Sequence, residues 1–126
     1  MTPNHLMHLV DTQLAHVWMV RAFLKHSDEA AEDDELAEVH RELYDYMLAL
    51  GGPLKENKAE EYLRMARKKL GRLKRARDSF ATIQPEISQH TNFQMAVQSL
   101  NAAVAEVVRL LESPPGNSSA PETQGE

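Results

Sequence analysis

The sequence contains no cysteine among its 126 residues. This absence excludes a disulfide framework, a thiolate zinc site and a cysteine nucleophile. It is typical of proteins in a reducing compartment, so we expect a cytoplasmic location. Aromatic residues make up only 6% of the chain and the formal net charge is -5. Both values argue against a surface devoted wholly to nucleic acid.

Glycine is also scarce, with five residues in the whole chain. None of them belongs to a glycine-rich loop for phosphates or dinucleotides, and no Gly-x-Ser-x-Gly nucleophile elbow is present. No apolar run reaches the ~18 residues of a membrane helix. The first residues lack the pattern of a secretory signal. We therefore predict no membrane partner, no cofactor and no catalytic residue.

Apolar residues recur at intervals of three and four, the period of an amphipathic helix. No segment shows the sustained alternation of a half-buried strand. The pattern predicts four helices: one over residues 3–26, one over 34–50, one from about Asn57 through Ile83, and one that begins at Thr91 or Asn92.

The boundaries between these helices rest on known capping and breaking residues. Gly51 is expected to cap the end of the second helix, because Gly51-Gly52-Pro53 is the strongest helix-breaking sequence in the chain. Asn57 and Glu60 have nearly the spacing of a capping box for the third helix. Pro85 is the next expected break.

Four amphipathic helices with short connections predict an all-α fold of one domain. The default arrangement is an antiparallel up-down four-helix bundle over residues 1–112. Residues 113–126 are rich in Pro, Ser and Gly. Such a composition buries too little apolar surface to offset the entropy of ordering, so we predict a disordered C-terminal tail.

Charge is segregated along the sequence. Residues 28–45 hold nine acids and a single base, Arg41, whereas residues 55–78 hold ten bases and four acids. We expect these segments to be antiparallel neighbours with paired charges. The third helix also presents a basic face that predicts an acidic protein partner, made of Arg64, Arg67, Lys68, Arg72 and Arg75. Nucleic acid is the less favoured alternative, since Tyr62 is the only aromatic residue near these bases.

The first helix carries a second stripe beside its core row. At ~100° per residue, four histidines fall within one arc together with Met19 and Phe23. A helix that is apolar on more than one side is either deeply buried or part of an interface. We predict a homodimer contact through this helix, with the candidate residues His8, His16, Trp18, Met19 and Phe23.

Three histidine-based alternatives remain. His5 and His8, at positions i and i+3, are candidate metal ligands together with Asp11. Ala15-His16 resembles the phosphorylated site of histidine phosphotransfer domains, although Met19 and Val20 stand where that family usually has Lys and Gly. Arg21 and His26 resemble the spacing of the helical ribonuclease motif called HEPN.

Taken together, the missing catalytic motifs and the two-sided first helix favour a non-enzymatic helical protein. We predict a protein-interaction or regulatory module that self-associates through its first helix. Metal binding, phosphotransfer and nucleic-acid binding are the alternatives.

Overall fold

The computed structural model describes residues 1–112, and within this range the chain is entirely helical, with no strand. The predicted tail over 113–126 lies outside the described residues. Six helices follow one another along the chain: α1 (Pro3–Lys25), α2 (Asp28–Glu32), α3 (Asp34–Lys55), α4 (Ala59–Lys68), α5 (Leu70–Ile87) and α6 (Thr91–Glu112). The all-α prediction is confirmed.

The first and last helices begin where the sequence predicted. The side chain of Thr2 accepts a hydrogen bond from the His5 N–H at 3.0 Å, and Pro3 occupies the first turn of α1, where its missing N–H costs nothing. α6 begins at Thr91, and the ring Nδ1 of His90 accepts a hydrogen bond from the Asn92 N–H at 3.0 Å. The side chain of His90 therefore caps the start of α6.

The prediction that Gly51 ends the second helix was wrong. α3 continues through Gly51, Gly52 and Pro53 to Lys55, and Pro53 is buried. A glycine costs only ~1 kcal/mol in a helix, which tertiary packing of the same turn can offset. Pro53 lacks the N–H that would bond the Ala49 carbonyl, and the burial of its ring opposes this cost.

The capping box predicted at Asn57 was also wrong. Asn57 takes a left-handed conformation, with φ of 58°, and ends α3 instead of starting the next helix. Its N–H donates to the Leu54 carbonyl at 3.1 Å, and the Lys58 N–H donates to the Pro53 carbonyl at 2.8 Å. These two bonds define a Schellman motif, which asparagine can close because it tolerates positive φ.

Replacement of Gly52 by alanine is expected to stabilise the protein by about 0.5–1 kcal/mol. The residue is helical and exposed, and a Cβ added there meets no atom within 4 Å. The gain comes from restricting the unfolded chain, and urea unfolding measures it. A loss of stability in Gly52→Ala would contradict the helical assignment of this turn.

Two further boundaries differ from the prediction. A short helix, α2, precedes α3, with Ser27 as its N-cap. The single third helix is divided at Lys69, where φ is -100° and ψ is 7°. Pro85 lies inside the last turn of α5, and this helix ends two residues later.

The four longer helices α1, α3, α5 and α6 contact one another in a closed ring. α1 packs against α3 and α6, and α5 packs against the same two helices, while α4 contacts α1, α3 and α6. The apolar rows of these helices form one core, whose largest fully enclosed side chains include Tyr46, Tyr62, Phe80, Leu24, Leu43 and Leu100. No described helix combines the length and the hydrophobicity needed to span a bilayer.

Candidate interaction surface

Large apolar side chains reach solvent on one side of the protein. Apart from Met1, the exposed examples within residues 1–112 all lie on α1 or on the parts of α3 and α6 that flank it. We call this set the α1 face, and its members are Trp18, Met19, Tyr44, Leu48 and Met95. Met19 is 65% exposed and Leu48 is 61% exposed, so neither belongs to the core of this chain.

The α3 side of the α1 face is built around two aromatic rings. The ring centroids of Trp18 and Tyr44 are 6.2 Å apart and their planes are tilted by 46°. The guanidinium of Arg21 packs against both rings, with its Cζ 4.5 Å from the Trp18 centroid and 4.7 Å from the Tyr44 centroid. These cation–π contacts hold Trp18 at the surface in a fixed place, with 43% of it exposed.

Arg21 is a buried cation without an acidic neighbour. It is only 8% exposed, and its Nε has no hydrogen-bond partner in the described part of the chain. No ion pair within residues 1–112 involves it.

His40 lies in the positive surroundings of Arg21. Burial lowers the pKa of His40 below its ordinary value, and the nearby charges of Arg41, Arg21 and Lys25 lower it further. The imidazole is therefore biased towards its neutral form because a further positive charge would be repelled. Arg21 and Lys25 thus bring two positive charges to this end of α1, and neither forms an ion pair within residues 1–112.

A cleft of about 380 Å³ opens beside the aromatic rings, between α1 and α3. Trp18 and Tyr44 form one end of it, and Asp11 is the charged residue in its wall. The remaining wall is apolar and is provided by residues such as Leu14, Ala15, Met47, Leu48 and Leu54. A cleft of this size can accept one large side chain from a partner.

The α6 side of the α1 face is shallower. Phe23 packs edge-on against Phe93, with ring centroids 5.0 Å apart. Met19 and Met95 stand beside this pair and line a depression of about 310 Å³. Methionine is a flexible side chain that adapts to varied partners, which suits such an open surface.

The structure divides the residues predicted for the homodimer contact. Trp18 lies on the α3 side of α1, whereas Met19 and Phe23 lie towards α6. His8 and His16 are also exposed on α1. Sequence analysis did not identify Tyr44 and Leu48 as members of this surface, because only the contact between α1 and α3 brings them beside Trp18.

The metal-ligand candidates His5, His8 and Asp11 are not assembled into a site. The described residues contain no group of three His, Cys, Asp or Glu side chains able to hold a metal ion. Asp11 is instead turned towards α4, where its Oδ1 accepts a hydrogen bond from the Tyr62 hydroxyl at 3.2 Å. His26, of the ribonuclease-like pair, is hydrogen-bonded through Nδ1 to the Ala22 carbonyl at 2.9 Å.

The basic residues of α4 and α5 have a different environment from the one predicted. Arg64, Lys68, Arg72 and Arg75 are exposed, and no ion pair within residues 1–112 joins them to the acids of α3. α3 and α5 are neighbours, as expected, but a cleft of about 700 Å³ lies between their charged side chains. The opposite charges of α3 and α5 face each other across this cleft, and the charge of Arg72 acts on Glu42 without a close ion pair.

Arg67 differs from the other members of the predicted basic face. Its Nε donates to the Leu111 carbonyl at 2.9 Å, near the end of α6. The last carbonyls of a helix lack partners within the helix, so this bond caps α6 and attaches it to α4. The guanidinium of Arg67 is thus engaged within the protein and is less available to an acidic partner than the other four bases.

No family model, curated protein or solved structure matches this chain.

Proposed function

We propose that this protein is a non-enzymatic helical interaction module that self-associates through α1. The proposal is supported by the exposed large apolar side chains of residues 1–112, which, apart from Met1, all lie on α1 or on the flanking parts of α3 and α6. Single exposed apolar residues are common, but a group concentrated on one side of a small charged protein marks an interaction surface. His8, His16, Trp18, Met19 and Phe23 are the proposed contact residues on α1.

We further propose that α1, α3, α5 and α6 form an antiparallel four-helix bundle. The closed ring of contacts among these helices supports this arrangement. Trp18 meets Tyr44, and Asp11 shares a cleft with Gly51. Residues later in α1 thus meet residues earlier in α3, which is the order that antiparallel neighbours have. In this bundle α1 occupies one corner, and its outer surface is accessible to a partner.

The chemistry of the α1 face favours a protein partner over a small substrate. Trp, Tyr and Arg are the residues most enriched among interface positions that dominate binding energy, and Trp18, Tyr44 and Arg21 contact one another here. Aromatic side chains provide large contact area at low entropic cost. A second copy of the chain is the simplest partner, because identical surfaces related by a two-fold axis form a closed dimer.

Trp18→Asp is expected to abolish self-association and leave a folded monomer. The substitution places a charge in the centre of the α1 face, where an interface would have to desolvate it. Asn101→Asp is the matched control, since Asn101 is exposed on α6 and lies on the side of that helix away from Met95. Size-exclusion chromatography with light scattering compares the two. Equal masses for the two variants at every concentration would refute the proposal.

The basic surface of α4 and α5 supports a second contact, with an acidic protein. Its accessible bases are Arg64, Lys68, Arg72 and Arg75. Arg72 and Arg75 line the same cleft as Glu35, Glu38 and Glu42. These acids would repel a continuous phosphate backbone, so a protein with local acidic side chains fits this surface better than nucleic acid.

A further inference from the structure

Asp11 and Lys25 lie on the same side of α1 as Trp18. At about 100° per residue, five positions fall within an arc of about 80° along the helix: Asp11, Ala15, Trp18, Ala22 and Lys25. This strip, which we call the α1 strip, has an acid near one end, a base at the other, small residues between, and Trp18 at its middle. A second copy of the helix that runs in the opposite direction therefore presents its base where the first presents its acid.

The charges of the α1 strip are not compensated within the described chain. Asp11 and Lys25 form no ion pair in residues 1–112, and the same holds for Arg21. Asp11 uses only Oδ1, which accepts from Tyr62, so Oδ2 remains available. Lys25 and Arg21 carry the positive charge at the other end of the helix, which Asp11 of the same chain does not reach.

We propose that two copies of this chain pair through antiparallel α1 helices, with Asp11 of each copy placed against Arg21 and Lys25 of the other. This inference rests on the proposed self-association and specifies its register. When Ala15 of one helix lies opposite Trp18 of the other, Asp11 lies opposite Ala22. This position is between Arg21 and Lys25 of the other copy. A two-fold axis then creates the same contact twice.

Parallel pairing of the helices is disfavoured by the same charges. Two parallel α1 helices aligned residue by residue would place Asp11 of one copy beside Asp11 of the other, and Lys25 beside Lys25. Like charges at an interface weaken binding. Antiparallel pairing replaces both repulsions with attractions. It also supplies an anion for Arg21, whose burial without an acid is otherwise costly.

The apolar residues fit this register. Trp18 of each copy would lie beside Ala15 and the cleft of about 380 Å³ on the other. Leu48 stands exposed at the edge of that cleft and would be covered by the incoming indole. Small residues at Ala15 and Ala22 allow two helices to approach closely enough for this contact.

Charge exchange across the interface tests the register. We expect Asp11→Lys and Lys25→Asp each to weaken dimerisation roughly tenfold or more, since each creates like-charge contacts across the two-fold axis. The double variant should bind more tightly than either single variant but more weakly than the wild type, because the attraction between positions 11 and 25 returns while Arg21 faces a base. Sedimentation velocity at low ionic strength measures the dissociation constants, and circular dichroism checks the helix content. If Asp11→Lys fails to fold, Asp11→Asn removes the charge and retains an acceptor for Tyr62.

The outcomes separate this register from self-association in general. Wild-type affinity in both single variants, or a double variant weaker than either single one, overturns the register. Loss of dimerisation in Trp18→Asp alongside those results would leave the proposed function standing. A wild type that remains monomeric at all concentrations overturns both.

Discussion

Phe80→Ala is expected to destabilise the protein by about 3–5 kcal/mol. Phe80 is fully enclosed in the core, and it lies on α5, which closes the ring of helices against α3 and α6. Truncation removes the buried ring and leaves a cavity that the neighbouring helices can fill only in part. Domains of this size have a total stability of ~5–15 kcal/mol, so the loss is a large share of it. Urea unfolding followed by circular dichroism measures the effect.

Phe80→Leu is the matched control for this cavity. Leucine keeps much of the apolar volume, so the expected loss is smaller, about 1–2 kcal/mol. A Phe80→Ala variant as stable as the wild type would show that α5 does not pack as described.

Tyr46→Phe is expected to cost about 1–3 kcal/mol, the second largest effect. The Tyr46 hydroxyl donates to the Ala66 carbonyl at 2.9 Å, and both residues are buried. Ala66 belongs to the last turn of α4, where carbonyls lack partners within the helix. Removal of the hydroxyl leaves that carbonyl buried without a donor. The free energy of unfolding from urea titration gives the magnitude.

Tyr62→Phe serves as the comparison for the hydrogen bond of Tyr46. The Tyr62 hydroxyl donates to Asp11, whose carboxylate is only half-buried and can take water in its place. The expected loss is therefore smaller, about 0.5–1 kcal/mol. Equal losses in the two variants would contradict the view that Tyr46 caps α4.

Both tyrosines show how tertiary structure changes the interpretation of a sequence pattern. Tyr46 and Tyr62 are polar aromatic residues on amphipathic helices, yet both are enclosed and hydrogen-bonded to protein atoms. Burial raises the pKa of each above its ordinary value. The acceptors on α4 and α1 are distant in sequence, so periodicity could not reveal them.

The apolar period predicted α1 and α6 well because each has a long row of core residues and a clear start. Local breakers were less reliable. The Gly51-Gly52-Pro53 sequence stays helical and Asn57 closes the helix after it, since packing outweighs local propensities of ~1 kcal/mol for each glycine and ~3 kcal/mol for proline. The division at Lys69 has no comparable breaker in the sequence.

The candidate surface was predicted only in part, for a similar reason. The two-sided character of α1 identified Trp18 and Met19 from sequence alone. Tyr44, Leu48 and Met95 join them through contacts of α1 with α3 and α6, which the sequence does not specify. The missing acid beside Arg21 also becomes evident only when the neighbouring helices are placed.

Self-association would account for three features of the α1 face together. It would cover exposed Met19 and Leu48, fill the cleft beside Trp18 and bring an acid to Arg21. None of these features contributes to the core of the single chain. Because all three features lie on one side of the protein, we propose α1 as the interface.

The mass of the wild-type protein over a wide concentration range tests this claim most directly. Sedimentation equilibrium should give a weight-average mass that rises from 14.2 kDa towards twice that value as concentration increases. The rise should follow a single monomer–dimer equilibrium, because a two-fold interface closes on itself. A mass of 14.2 kDa at every concentration would contradict the account.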